Sequence, residues 1–170
     1  MEHEPPRTIP DPGFPDDRGL ADPALTSTLV QYALGQARSG DVLAALQDAR
    51  LLVPVVAVLG EVTYDESGLA HDKSSDMAAV LVRSGGGRTG LLAFTSTETM
   101  RRWDPEARPV PVPAATAATA AVQDGAVALL VDLAGPASYA VEGEDLTRLA
   151  AGWRLVAVAD GHGWIGPAGD

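Results

Sequence analysis

Leu91-Leu92-Ala93-Phe94-Thr95-Ser96-Thr97-Glu98-Thr99-Met100-Arg101-Arg102-Trp103 reads as a buried strand running straight into a short capped helix. Thr95 or Ser96 can accept a hydrogen bond from an otherwise unpaired backbone N–H, and Glu98 stands at the reciprocal position of a Thr-x-x-Glu capping box. Met100 and Trp103 fall on one helical face and can turn toward the layer that packs on Leu92 and Phe94. With two Phe and three Trp in the whole chain, this cluster carries much of the aromatic burial. Truncating Trp103 to Ala is expected to cost roughly 3–5 kcal/mol if the indole is fully buried.

The strand-to-helix unit belongs to an α+β pattern. Upstream, Asp22-Pro23 starts a helix with an acceptor at the cap and proline in the first turn, and the periodicity carries it to about Arg38. Asp41 is expected to cap a second helix to about Arg50. Leu51 to Leu59 is too rich in β-branched residues to continue it, and its lack of polar alternation predicts a strand buried on both faces. Gly60 to Ser75 reads as a polar loop. Met77 to Arg83 and Gly90 to Thr95 form two strands joined by the glycine-rich Ser84–Thr89 connection.

Downstream, Arg108-Pro109-Val110-Pro111-Val112-Pro113 has prolines at alternate positions, so it is extended and cannot be a central strand. An alanine-rich helix over Ala114–Asp124 closes at Gly125. Ala126–Asp132 and Ala137–Val141 read as strands about a turn at Leu133–Pro136, and Glu144–Ala151 as a last helix stopped by Gly152. The expected architecture is a single domain with a mixed sheet of about five strands and helices on at least one face. Residues 1–22 read as a disordered, proline-rich acidic leader, 23–152 as the domain, and 153–170 as an extension with an edge strand and then a tail.

Composition narrows the function. The chain has 170 residues, 46% hydrophobic, enough for one complete core. It contains no cysteine, so disulfides, thiolate zinc sites and cysteine nucleophiles are excluded. The net charge of −11 repels phosphate backbones and anionic lipid, so neither nucleic acid nor a membrane is an expected partner. No apolar run is long enough to span a bilayer, and Met1-Glu2-His3-Glu4-Pro5-Pro6 lacks the basic and apolar pattern of a signal peptide. A cytoplasmic location is expected.

Motifs for chemistry are sparse. Gly161-His162-Gly163-Trp164-Ile165-Gly166 has the glycine spacing of a dinucleotide fingerprint, but no helix follows to aim its amides at a pyrophosphate. Glu61, Asp65, Glu66, His71, Asp72 and Asp76 crowd one loop without the alternating ligands of a calcium site, so a solvated acidic loop is expected. His3 and His162 fall in the expected tails. No nucleophile elbow and no phosphate-binding Lys loop occurs, so no catalytic residue, metal ligand or cofactor is assigned. Arg101, Arg102 and Arg108 form a basic spot beside Trp103 and the proline segment. They read either as helix-end charges that pair with nearby acids or as a surface for an acidic or extended partner peptide.

Several strings resemble the N-terminal domain of the SseB (enhanced serine sensitivity) family: Leu52-Val53-Pro54-Val55; Ala93-Phe94-Thr95-Ser96 with Glu98; Trp103-Asp104-Pro105; Arg108-Pro109-Val110-Pro111; and Leu130-Val131-Asp132-Leu133-Ala134-Gly135-Pro136. Phe94, Thr95 and Trp103 are the signature positions of that core. The resemblance spans roughly Leu25 to Gly152 and implies a cytosolic bacterial α+β domain with no established enzymatic activity, hence no catalytic residues to carry over. A counterpart of the separate C-terminal domain of some SseB-like proteins is not expected. The leading expectation is a non-catalytic module that binds another protein. The alternative is a small-molecule sensor or hydrolase with a pocket near Thr95, Ser96 and His71.

Overall fold

The computed structural model describes residues 13–58, 63–64, 70–71 and 76–169. Helices α1 (Pro23–Ala33) and α2 (Ser39–Leu46) lead into β1 (Arg50–Val58), and a short antiparallel ribbon, β2 (Thr63–Tyr64) with β3 (Ala70–His71), interrupts the segment expected as an open loop. Then follow β4 (Asp76–Ala79), β5 (Leu81–Arg83), β6 (Thr89–Ala93), α3 (Thr97–Trp103), β7 (Arg108–Pro113), α4 (Ala114–Gln123), β8 (Ala128–Val131), β9 (Tyr139–Glu142), α5 (Gly143–Ala150), β10 (Arg154–Val158) and β11 (Gly161–Ile165).

The chain folds as the expected α+β domain, but its strands are divided between two main sheets in place of a single one of about five. β4-β1-β7 is a three-stranded antiparallel sheet, and β5-β6-β8-β9 a four-stranded sheet with β6 and β8 parallel. The two meet where Leu52 and Phe94 exchange backbone hydrogen bonds of 2.8 Å in each direction. The run from Asp76 to Arg83 breaks at Val80, so its first half pairs with β1 and its second with β6.

Period-two alternation sends successive residues to opposite faces. Leu51, Val53, Leu91, Ala93, Leu129 and Val131 face the main core under the helices, with Leu25, Leu29, Val42, Leu46, Ala117, Ala121, Leu146 and Leu149. Leu52, Leu92 and Phe94 face the other way and form a second cluster with Met100. This is why β1 and β6 carry apolar residues without polar alternation. Trp103 stacks on Phe94 with ring centroids 5.8 Å apart, yet it is only partly buried. Its truncation therefore belongs below the range of roughly 3–5 kcal/mol that full burial sets.

Pro54 and Pro109 face each other in the β1–β7 ladder, and Leu52 faces Pro111. Proline has no N–H, so these are the non-hydrogen-bonded pairs, and Val110 and Val112 supply the donors toward β1. Pro109, Pro111 and Pro113 turn their missing N–H positions to the open edge, where no donor is required. The segment excluded from the sheet centre is an edge strand.

Several boundaries differ from the periodicity. α1 stops at Ala33, short of Arg38, because Gly35 adopts φ +72° and begins the turn into α2. Asp41 lies inside the first turn of α2, not at its cap, and its carboxylate accepts from the Arg38 backbone N–H at 2.8 Å. The expected edge strand and tail at the C-terminus form a hairpin, β10–β11, fastened to α2 by the Gln47 amide. Gln47 donates to the Leu155 carbonyl at 2.9 Å and accepts from its N–H at 2.8 Å. His162 is accordingly not in a tail: it packs over Gly40, with Nε2 3.9 Å from Asp41 Oδ1. Trp164, within the same glycine-spaced string, donates to Asp145 at 2.9 Å and packs on the main core. Ser39 and the buried Tyr139 share a hydrogen bond of 2.6 Å, and burial pushes the Tyr139 phenol up from its ordinary pKa.

Candidate functional site: the β6–α3 junction and its flanking groove

Parallel pairing aligns Ala93 of β6 with Val131 of β8, which brings the next residues, Phe94-Thr95 and Asp132, side by side. Asp132 adopts φ 53°, a left-handed conformation that Asp tolerates better than most residues. Its carboxylate, 4% exposed, accepts from the Thr95 N–H at 2.9 Å, the Thr95 hydroxyl at 2.7 Å and the Thr99 hydroxyl at 2.7 Å. The Asp132 N–H in turn donates to the Ala93 carbonyl at 3.0 Å. One buried anion thus gathers three donors from the strand end and the first turn of α3. Burial without such partners would be costly.

The cap of α3 is Ser96, whose hydroxyl accepts from the Thr99 N–H at 3.1 Å. Thr99, not Glu98, holds the reciprocal position of the box, and Glu98 instead pairs with Arg102 at 2.7 Å on the helix surface. The Thr95 and Ser96 hydroxyls are thus committed to Asp132 and to Thr99. The cleft beside them, lined by Thr95, Ser96, Thr99 and Asp132, holds about 180 Å³, below the roughly 300–1,000 Å³ of ordinary small-molecule pockets. The side chain of His71, the third member of the alternative pocket, lies outside the described residues. Among the described residues no three His, Asp or Glu side chains converge in a metal-holding group.

The three arginines of the basic spot separate. Arg102 is tied to Glu98 and borders the small cleft. Arg108 opens β7 opposite Val55 and is exposed. Arg101 is exposed and makes no ion pair among the described residues. It borders a larger groove of about 620 Å³ with Leu52, Pro109 and Pro111 on one side and residues 14–21 on the other. Arg101 therefore lines the groove with Pro109 and Pro111, while Arg102 lines the small cleft and Arg108 stands at the head of the proline strand without lining either.

The wall made by residues 14–21 is built on Arg50. The first twelve residues of the expected leader lie outside the described residues, but from Gly13 onward the chain lies against the domain. Arg50 projects from the same face of β1 as Leu52 and pairs with Asp17 at 2.5 Å. It also donates to the Thr95 carbonyl at 2.9 Å and to the Leu20 carbonyl. The Gly19 carbonyl accepts from the Thr97 N–H at 2.8 Å, supplementing the cap of α3. Asp17 and Arg50 escaped the sequence reading, although a lone arginine in register with Leu52 on a two-face-buried strand signals a cation that needs an anion.

The model of the SseB protein N-terminal domain family matches residues 25–148, well over half of the chain. The chain belongs to the SseB family. No curated protein and no solved structure matches it. The Phe94-Thr95-Ser96 and Val131-Asp132 strings that carried the resemblance are the two sides of the carboxylate junction, and Trp103 covers its apolar flank. The wall residues Phe14 to Leu20 precede the matched span, so the groove combines the SseB domain with a segment outside it.

Proposed function

We propose that this SseB domain is a non-catalytic cytosolic module that binds a partner protein, holding an extended acidic segment in the groove between α3 and the proline edge strand. The observation that carries this reading is Arg101, a cation without an ion pair among the described residues, beside Pro109 and Pro111 in a chain of net charge −11. A partner carboxylate at that guanidinium makes a charge-assisted hydrogen bond, and the flat proline faces suit an extended chain. The cytosolic placement follows what the family implies. The committed hydroxyls of Thr95 and Ser96 support a scaffold role for the junction beside the groove.

The test is an array of extended acidic peptides read by fluorescence anisotropy at modest salt, against wild type, Arg101→Glu and Arg108→Glu. Binding that weakens roughly tenfold in Arg101→Glu, but holds in Arg108→Glu, is the expected result. Peptides that bind both variants as they bind wild type, or none at all, would refute the assignment.

A further inference from the structure

The segment Gly13–Ala21 is held in an unusual way for part of a domain. Its anchors are one carboxylate, Asp17 on Arg50, and two backbone carbonyls, those of Gly19 and Leu20. Its side chains are unevenly placed: Phe14 and Ala21 are half-buried, while Leu20 is 71% exposed and Arg18 is exposed. A strap fixed by a few polar contacts and one half-buried aromatic ring, with no strand or helix of its own, sits toward the low-stability end of a fold and opens locally. Arg50 is different. Its side chain is 14% exposed, fixed to the Thr95 carbonyl at the strand–helix junction, and needs an anion when the strap leaves.

The strap also displays a recognition rule. Gly19 has φ +71°, and a Cβ there would lie 1.8 Å from Thr97 Oγ1, so any other residue would be strained and would have to push the Thr97 side chain aside. The carboxylate two residues earlier meets Arg50, and the intervening Arg18 faces out. Within the strap the Asp17 carboxylate also accepts from the Gly19 N–H at 2.7 Å, so the contacts read a turned Asp-x-Gly and ignore the middle side chain.

We propose that the Arg50 site is a peptide-binding site specific for an Asp-x-Gly turn of a partner protein, and that residues 13–21 occupy it in cis as a tethered stand-in. This rests on the groove reading above and deepens it: the partner's Asp-x-Gly takes Arg50, and its flanking acidic residue takes Arg101. The strap holds the site by proximity, since a short tether supplies an effective concentration in the millimolar range at no cost in contacts.

The experiment uses the full chain and a fluorescein-labelled peptide of residues 13–22, with a second peptide carrying Asp17→Lys. Wild type is compared with two strap-opening variants, Gly19→Val and Asp17→Lys, each checked for folding by far-UV circular dichroism. Both opened variants are expected to bind the native peptide roughly tenfold more tightly than wild type does, and the lysine peptide not at all. Folded variants that bind no better than wild type overturn the proposal, as does loss of folding in both, which would make the strap part of the core. Peptide-independent dimerisation of wild type that Asp17→Lys abolishes also overturns it, in favour of strap exchange between copies. Failure of the strap peptide alongside retained Arg101-dependent binding of acidic peptides removes this inference and leaves the groove assignment standing.

Discussion

Replacing Asp132 with alanine removes the side chain that ties the end of β6 and the first turn of α3 to the end of β8. Three donors lose their acceptor: the Thr95 N–H and the hydroxyls of Thr95 and Thr99. The Thr95 N–H is fixed by the backbone and stays buried, which costs about 1–3 kcal/mol. Alanine at φ 53° adds about 1–2 kcal/mol of left-handed strain without a local hydrogen bond in return. The hydroxyls can rotate toward other acceptors, so the total comes to about 3–4 kcal/mol. Asparagine behaves differently. It tolerates the same backbone, its carbonyl oxygen still accepts from Thr95 N and Thr99, and the Thr95 hydroxyl can turn to accept from the new amide. What is lost is the charge assistance, about 1 kcal/mol. Urea unfolding followed by far-UV circular dichroism measures both, with Asp132→Ala moving the midpoint down by about 2 M. If Asp132→Ala stays within about 1 kcal/mol of wild type, or Asp132→Asn is as damaging as alanine, the carboxylate is not the junction's pin. A gain in stability in both variants would mark it as a strained group kept for chemistry.

Two further perturbations test other parts of the fold. Replacing Pro109 and Pro111 together with valine gives the open edge of β7 two N–H donors beside carbonyls that already face outward, so sedimentation velocity should show concentration-dependent association absent from wild type. An unchanged sedimentation profile would mean that the prolines do not guard this edge. Asp48 accepts two hydrogen bonds from Arg154, at 2.6 and 3.2 Å, and this contact holds its carboxyl below the ordinary aspartate pKa of 3.8. Because the folded value is the lower one, the stabilisation is present above pH 3.8 and is lost as pH falls through the folded value. The pair is exposed, so Asp48→Asn should cost only about 0.5 kcal/mol near neutrality. In thermal melts that difference should vanish in strong acid or high salt, and one that persists under both would locate the effect outside the ion pair.

Local pattern was enough for the elements that punctuate themselves. Asp22-Pro23, Gly125 and Gly152 mark helix ends through cap chemistry and positive φ. The alternate prolines of β7 exclude a central position because each removes a donor, whatever else the chain does. The unbroken apolar runs of β1 and β6 imply two buried faces, and the structure supplies a layer on each. The Phe-Thr-Ser and Val-Asp strings were specific enough to carry the family, and Phe94 and Thr95 stand at the junction those strings marked. Reading α3 alone also placed a capping box, but it chose Glu98 over Thr99, since spacing cannot tell whether the hydroxyl or the carboxylate turns back to the chain.

Long-range pairing decided the rest. That Asp132 belongs beside Thr95 depends on the parallel register of β6 and β8, which no local residue encodes. The division of the sheet at Val80, and the Leu52–Phe94 exchange that rejoins it, arise from a strand that leaves one neighbour for another. Arg101 and Arg102, neighbours in sequence, border different clefts because successive residues of a helix point about 100° apart. The composition of residues 13–22 predicts disorder, and composition is blind to a single carboxylate meeting a buried arginine. From its residues alone this protein declared its class, its breakpoints and its family. Which polar groups meet was settled only when distant strands came into register, because charge pairing and hydrogen bonding act over a few ångströms of space and not along the chain.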